Sequence, residues 1–442
     1  MTRIVVVGSQ SAGFTAASFA RMTCRGAEVT IVERRPYGLY HPCGIPLAIE
    51  GVVKPRDLVH GSPPPGVEII CGAETTGIDT GSRVLRLREQ ESGREREIPY
   101  DSLILATGGI PVRLRIPGSD LDGVHTVRTI EDCEAILKGV SGARRAAVIG
   151  GGAIGVEVAL SLRRRGLQVV LFEQMPYVLP TVLDEDMAEV VENRLEEAGV
   201  EVACGSRVSE IRGERSVRAV ISGEREHPAE IVIMAVGVVP NSELARDSGI
   251  KIGRTGGIRV DKRMRTSAHD VFAAGECAET VNAVTGEPTT SFLASTAAGM
   301  GRVAGINAAG GKATFGGVLN STLIRADSIL IGSTGFTSSA AEQRSIKTVS
   351  TRIRVADRPS YVPGSASVMV KLTAEAGRGN LVGGQVIGRS GVAEMIDLLS
   401  FAIVRRAGPE ELREMEHCYM PWATDVLSPL QVAADALMRK LR

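Results

Sequence analysis

The chain has 442 residues, 43% of them apolar and 23% charged, and its 51 Lys+Arg balance its 51 Asp+Glu. That length calls for about three domains. Charge neutrality provides no bulk basic field for nucleic acid or a membrane surface, and no apolar run approaches the ~20 residues of a membrane span.

The first predicted element is a strand at Ile4–Val7, directly after Met1-Thr2-Arg3. That leaves no room for a signal peptide and makes a cytoplasmic location the expectation. The turn Gly8-Ser9-Gln10-Ser11-Ala12-Gly13 opens a helix over 12–23, and a strand at Glu28–Val32 ends at Glu33. Tyr40-His41-Pro42-Cys43-Gly44-Ile45-Pro46 follows. Short β-like pieces over 67–98 lead to a buried strand at 103–109 that stops on Gly108-Gly109. A second βαβ unit then repeats the first: strand 146–149, turn Gly150-Gly151-Gly152-Ala153-Ile154-Gly155, helix 153–165, and a strand at Gln168–Phe172 ending at Glu173. Apolar runs at 231–237 and 268–276 follow, the latter closing on Gly275-Glu276. From about Ile324 the texture changes to short strands (367–372, 381–387) and two helical runs (391–406, 429–441), an α+β third domain.

A lone Gly-rich turn is weak evidence of a nucleotide site. Here each copy follows a strand, opens a helix and is followed about 20 residues later by an acid ending the next strand. The glycines let the backbone approach a pyrophosphate, the helix N-terminus supplies oriented N–H groups, and the acid accepts from ribose hydroxyls. In the first copy Gln10 stands at the second glycine position. In the second copy Glu173 binds a 2′-hydroxyl and repels a 2′-phosphate, and its neighbour Gln174 is no cation, so NADH is expected over NADPH. Glu157, just past the glycines, is open between facing the nicotinamide and lying in solvent.

The seven cysteines (24, 43, 71, 133, 204, 277, 418) show neither CxxC nor metal-ligand spacing, so they are expected as free thiols and no metal site is expected. Six are expected as packing residues. Cys43 differs: Pro42 and Gly44 flank it, Pro46 stiffens the next turn, a helix is expected near Ile45, and His41 is close. A helix N-terminus stabilises the reacting thiolate. No second cysteine follows within a turn, so Cys43 must work with a flavin alone or with a bound thiol. Two dinucleotide sites plus a sulfur nucleophile point to electrons passing from a nicotinamide through a flavin to a thiol.

These residues resemble, over essentially the full length, the single-cysteine branch (class III) of the pyridine nucleotide-disulfide oxidoreductases. That branch includes coenzyme A-disulfide reductase, NADH oxidase, NADH peroxidase and polysulfide reductase. The likeness is carried by Pro42-Cys43-Gly44-Ile45-Pro46 with Glu50-Gly51, by Leu105-Ala106-Thr107-Gly108, and by Val271-Phe272-Ala273-Ala274-Gly275-Glu276. It continues through Thr296-Ala297-Ala298 with Gly301-Arg302, and through Tyr361 and Cys418-Tyr419-Met420-Pro421. It implies an α/β fold with two Rossmann-like nucleotide-binding domains. An FAD domain (1–110 and 239–323) is interrupted by an NAD domain (111–238), and an α+β dimerisation domain (324–442) follows.

The resemblance also implies site residues. Cofactor contacts are expected at Gly8, Gln10, Ser11, Ala12, Gly13, Glu33, Arg34, Ala106, Thr107, Gly108, Gly275, Glu276 and Ala297, and in the second copy at Gly150, Gly152, Ile154, Gly155, Glu157, Glu173 and Gly237. Arg21, Arg25, His41 and Pro42 are expected to face the substrate. Cys43 is the expected redox residue. Tyr419 and Tyr361 reach it from the partner in a homodimer with shared sites, and Cys418 is open between a resolving thiol and packing. The acceptor is expected to be a small-molecule disulfide, persulfide or polysulfide, coenzyme A disulfide foremost, with coenzyme A itself as a candidate bound thiol. Oxygen reduction and a flavoprotein electron-transfer subunit are the alternatives. Three positions depart from the pattern: Gln10 replaces the histidine of the oxidases and peroxidases, Ala153 an aromatic gate, and Cys71 a lysine used for coenzyme A.

Overall fold

A strand such as Ile4-Val5-Val6-Val7, apolar at every position, has to be covered on both faces. The computed structural model, which describes residues 2–60 and 62–442, has it at the centre of a parallel sheet. The strand order is Val271–Ala273, Ser102–Leu105, Arg3–Val7, Glu28–Val32, Glu68–Ile70. Ile4, Val6, Leu103, Ile104 and Leu105 are fully buried.

The helix Ser11–Thr23 packs on this sheet through Ala12, Ala16, Ala17 and Ala20. Its buried side chains are small because the helix Ala294–Ala308 crosses it at backbone contact. A β-carbon on Gly301 would lie 2.2 Å from the Ala12 carbonyl oxygen, and one on Gly305 2.1 Å from that of Ala16. The four-residue spacing puts both glycines on one helix face. The unit so formed takes residues up to Ile45, Val53–Val112 and Gly237–Val318.

The second unit takes Pro46–Val52, Arg113–Val236 and Leu319–Arg442. It holds another five-stranded parallel sheet, ordered Val200–Ala203, Gln168–Phe172, Arg145–Ile149, Ile231–Met234, Val124–Thr126. From Thr322 the pairing turns antiparallel, in the order Thr322–Ala326, Ile329–Gly335, Leu381–Gly388, Ser367–Glu375, Thr348–Ala356. The helix Pro429–Leu441 starts where expected because Ser428 and Gln431 cap each other: Ser428 Oγ accepts the Gln431 N–H at 3.2 Å and Gln431 Oε1 accepts the Ser428 N–H at 3.0 Å. The run expected over 391–406 is trimmed to Val392–Val404, because Gly391 and Arg406 adopt left-handed backbone (φ +69° and +58°). Among the described residues no helix is long and apolar enough to cross a membrane.

Within this unit Asp184, before the helix Glu185–Glu197, is buried beside the antiparallel sheet. It accepts from the Ser338 N–H (2.8 Å), Ser338 Oγ (3.1 Å) and Gln385 Nε2 (2.8 Å), and pairs with Lys371 Nζ at 3.0 Å. Lys371, only 9% exposed, also meets Asp186 at 2.7 Å. Removing one partner of such a pair strands the other charge. Lys371→Met is therefore expected to lower the unfolding free energy by about 3 kcal/mol in a urea titration, with the flavin content of the folded protein unchanged.

Candidate active site

The two glycine turns are copies in geometry as well as in sequence. Gly8 and Gly150 take φ +101° and +107°, a region open to glycine at little cost. A β-carbon on Gly13 would lie 1.8 Å from the Gly8 carbonyl oxygen, and one on Gly155 1.8 Å from that of Gly150. Gln10 and Gly152 both cap their helices in extended backbone (φ −76° and −74°), so a side chain at this position carries no strain.

The acids after the second strands do the same work in both copies. Glu33 Oε2 accepts from the Ser9 N–H (3.0 Å) and Oγ (2.7 Å), and Glu173 Oε2 accepts from the Gly151 N–H (2.7 Å). The other oxygen of each takes the N–H two residues on, of Arg35 at 3.0 Å and Met175 at 2.8 Å. Each carboxylate thus fixes its turn while keeping lone pairs for a ribose.

Around the first turn the structure gathers motifs that lie far apart in sequence. A β-carbon on Gly8 would be 2.3 Å from the Ala106 oxygen, and one on Gly275 (φ +83°) 2.8 Å from Ala12 Cβ and 3.5 Å from Ala297 Cβ. Thr107 Oγ1 donates to the Asn241 carbonyl at 2.6 Å, and the Asn241 N–H to the Gly108 carbonyl at 2.9 Å. A β-carbon on Gly109 would lie 3.0 Å from Glu276 Oε2. Among the described residues both polar atoms of the Gln10 amide are buried without a partner, as is Ser291 Oγ ahead of the helix Ala294–Ala308. A cradle without β-carbons, edged by orphaned polar groups at a helix N-terminus, fits FAD.

Several expected contacts are placed less centrally. Arg34 is exposed, and its neighbour Arg35 instead pairs with Glu33 at 3.1 Å and stacks over Tyr40. Ser11 is half-buried, and Gly237 (φ +119°) has open space where a β-carbon would project. In the second copy Ile154 is 39% exposed. Glu157 is not a solvated charge: burial raises its pKa, against the opposing Arg325 N–H that donates to Oε1 at 3.2 Å.

Cys43 is exposed in the single turn Pro42–Gly44, which runs into the helix Ile45–Glu50. A β-carbon on Gly44 would be 2.4 Å from Leu58 Cδ2, so a larger residue there would have to displace the Leu58 side chain beneath the turn. His41 is also exposed, and Pro42 half-buried. The helix is held at its far end: Arg165 Nε donates to the Ile49 carbonyl at 2.6 Å, and the Glu50 carboxylate pairs with Arg164 and Arg325. Arg21 Nη1 is buried without a partner, while Arg25 is exposed.

The other cysteines do not all pack as expected. Cys133 and Cys277 are fully buried, Cys24 and Cys204 half-buried, but Cys71 and Cys418 are exposed, because both sit in surface turns outside helices and strands. Burial pushes the Cys133 thiol up to about 11, and burial with nearby Glu192 pushes Cys204 up to about 12. Burial also raises Cys277 and Cys71, the latter with help from Glu33. These four are thiols, not thiolates, at neutral pH.

Tyr361 and Tyr419 are 73% and 48% exposed and neighbour each other. The Tyr361 hydroxyl beside it, then partial burial and nearby Asp425, hold the Tyr419 phenol above its ordinary pKa. Trp422, Met420, Val426 and Leu427 are exposed around them.

The family model described as pyridine nucleotide-disulphide oxidoreductase matches residues 2–301, and that of the corresponding dimerisation domain matches residues 328–428. A Methanocaldococcus jannaschii protein named NADH oxidase is 40% identical, with 99% of each chain covered. The NAD(P)H coenzyme A polysulfide/persulfide reductase of Pyrococcus horikoshii is 31% identical, with 98% of each covered. The structure of an NAD-dependent persulfide reductase from A. fulgidus superposes with a TM-score of 0.96 at 33% identity, covering 99% of this chain and 83% of that one.

The geometry of Glu173 generates a test of nucleotide choice. Its carboxylate is anchored by two backbone N–H groups and so keeps its place beside the second turn. Glu173→Gln is expected to lower the NADH-over-NADPH ratio of kcat/KM by about tenfold, the equivalent of about 1.4 kcal/mol. An unchanged ratio would remove Glu173 from the ribose.

Proposed function

The chain belongs to the pyridine nucleotide-disulphide oxidoreductase family, and from that premise we propose that it reduces a disulfide, persulfide or polysulfide with NADH through FAD and Cys43, coenzyme A disulfide foremost. It is an NAD(P)H-dependent flavoprotein oxidoreductase with a C-terminal dimerisation domain. The acceptor and the residue roles are the proposal. The observation that supports it is the place of Cys43, exposed at the head of a clamped helix, whereas burial holds Cys133, Cys204 and Cys277 protonated.

FAD, when bound, accepts hydride from the nicotinamide and delivers two electrons to sulfur. The chain's own residues do the rest. The turn at Gly8–Gly13 and Glu33 hold the adenosine diphosphate part of FAD, and the turn at Gly150–Gly155 with Glu173 orients NADH. The Cys43 thiolate attacks one sulfur of the substrate disulfide. The substrate S–S bond breaks, a mixed disulfide to Cys43 forms, and the departing thiolate takes a proton from Tyr419 of the partner subunit. Two electrons then cleave the mixed disulfide, which frees the second thiol and returns Cys43 as thiolate. One NADH, one proton and one disulfide become NAD+ and two thiols. Arg21, with its unpartnered guanidinium nitrogen, and exposed Arg25 are suited to the phosphates of coenzyme A.

Oxygen reduction is the second reading, favoured by the small Ala153 at the second turn and the exposure of Ile154 beside it. Cys43→Ser separates the two. On the sulfur reading it lowers disulfide turnover by about 10³-fold and removes the long-wavelength thiolate–flavin absorption of the NADH-reduced enzyme, while NADH still bleaches the flavin. A band that survives, or oxygen consumption by the parent that exceeds its disulfide turnover, would overturn it.

The shared site has its own test. Inactive Cys43→Ser chains mixed with inactive Tyr419→Phe chains form hybrid dimers with one intact site each. Random reassociation makes about half the dimers hybrid, so about a quarter of wild-type activity should return. No recovery in verified hybrids would place both residues in one chain's site.

A further inference from the structure

The strand Thr348–Ala356 ends at Asp357, whose buried carboxylate has four partners. Oδ1 accepts from the Ala366 N–H at 2.9 Å and from Arg358 Nε at 3.2 Å, and Oδ2 accepts from Ser390 Oγ at 2.8 Å and Arg358 Nη2 at 3.0 Å. The Asp357 N–H donates to the Ala366 carbonyl at 2.8 Å, which closes residues 357–366 into a loop. Pro359 and Val362 are buried in it, and Tyr361 projects between them.

The loop bearing Tyr419 is closed separately. Thr424 Oγ1 donates to the Cys418 carbonyl at 2.8 Å, and the Ala423 and Thr424 N–H groups donate to the Met420 carbonyl at 2.8 and 2.9 Å. His417 Nε2 lies 3.0 Å from the Asp425 carbonyl. The two loops share no strand pairing. Arg358 Nη1 joins them by donating to the Trp422 carbonyl at 2.8 Å, and Tyr361 lies beside Tyr419.

Arg358 is therefore engaged on each side of its guanidinium. Nε and Nη2 lock in parallel on Asp357, Nη2 also meets Ser390 Oγ at 3.1 Å, and Nη1 donates to the Trp422 carbonyl at 2.8 Å. We infer that Arg358 is a positioning residue for the tyrosine pair: held by Asp357 and Ser390, it sets the Tyr419 loop against the Tyr361 loop and so places the phenol that serves the leaving thiolate. This rests on the role given to Tyr419 above. Both tyrosines are surface side chains with little packing of their own, so a strut through the backbone decides where the phenol stands. A displacement of about 1 Å at a reacting group costs up to about 10²-fold in rate.

The test is a double-mutant cycle in the FAD-loaded homodimer, with flavin content and thermal melting recorded for every variant. Arg358→Met is expected to lower disulfide turnover by about tenfold or more in the wild-type background, and to lower the small residual turnover of the Tyr419→Phe background, measured at high enzyme concentration, by less than about twofold. Arg358→Lys, which cannot span the same fork, should not restore it. A spectrophotometric titration at the phenolate band, read as the difference from Tyr419→Phe, gives a readout independent of turnover. Tyr361 and Asp425 are the groups that hold this phenol up. Losing the Tyr361 contact therefore lowers its pKa, and its transition in Arg358→Met should move to lower pH. Should Arg358→Met fail to fold, Ser390→Ala, which removes one brace of the strut, decides by the same cycle.

Equal losses in both backgrounds, or turnover and titration unchanged in Arg358→Met, would overturn the inference while leaving Tyr419 its role. Wild-type turnover by Tyr419→Phe alone would instead overturn the reading beneath it.

Discussion

The close passage of backbone over backbone at the two glycine turns is the constraint from which the rest of the molecule follows. At Gly13 and Gly155 a single added carbon would lie 1.8 Å from a carbonyl oxygen, well inside any contact that atoms tolerate. Because that space is empty of side chain, each helix can start at the very end of its strand, with its first N–H groups gathered toward one point. The same demand spreads outward. The helix Ala294–Ala308 approaches the first of these helices at Gly301 and Gly305, and Gly275 meets Ala12 and Ala297, so three segments far apart in sequence close on one cradle. The cradle is made by subtraction, from positions where anything larger than hydrogen or methyl would push it open.

Such turns carry several N–H groups that no strand or helix satisfies, and buried polar groups need partners. Glu33 and Glu173 supply them, each bonding the second residue of its turn and the residue two beyond itself. A carboxylate so fixed is also a fixed negative charge at its turn. Polar atoms of Gln10 and Ser291 are left over, buried without a partner among the described residues.

Sulfur chemistry is sorted by burial and by loop placement. A thiol in an apolar interior holds its proton, and the same burial that lets Cys133, Cys204 and Cys277 fill space takes them out of reaction. Cys43 sits on a surface turn that Pro42 stiffens and whose following helix is gripped by arginines at its far end. The tyrosines repeat the pattern: exposed side chains, held from beneath by a buried carboxylate and a guanidinium.

Read by itself, the sequence determined whatever depends on near neighbours. The strand–turn–helix units, the acids that close them, Cys43 between proline and glycine, and the start of the helix Pro429–Leu441 all rest on contacts within a few residues, and short-range rules suffice for them. The exposure of Cys71 and Cys418 was misread, because a cysteine's type says it packs well and only its place in the fold says whether anything packs against it. Arg35 rather than Arg34 meets Glu33, a choice made by which way the backbone turns after the strand. The union of Asp184 with Lys371 and the bridge from Arg358 to Trp422 join residues 187 and 64 positions apart. No local pattern marks such pairs, since what brings them together is the stacking of whole elements. Tertiary structure alone decided them, because a charge or a carbonyl acquires its partner only once the chain between has folded.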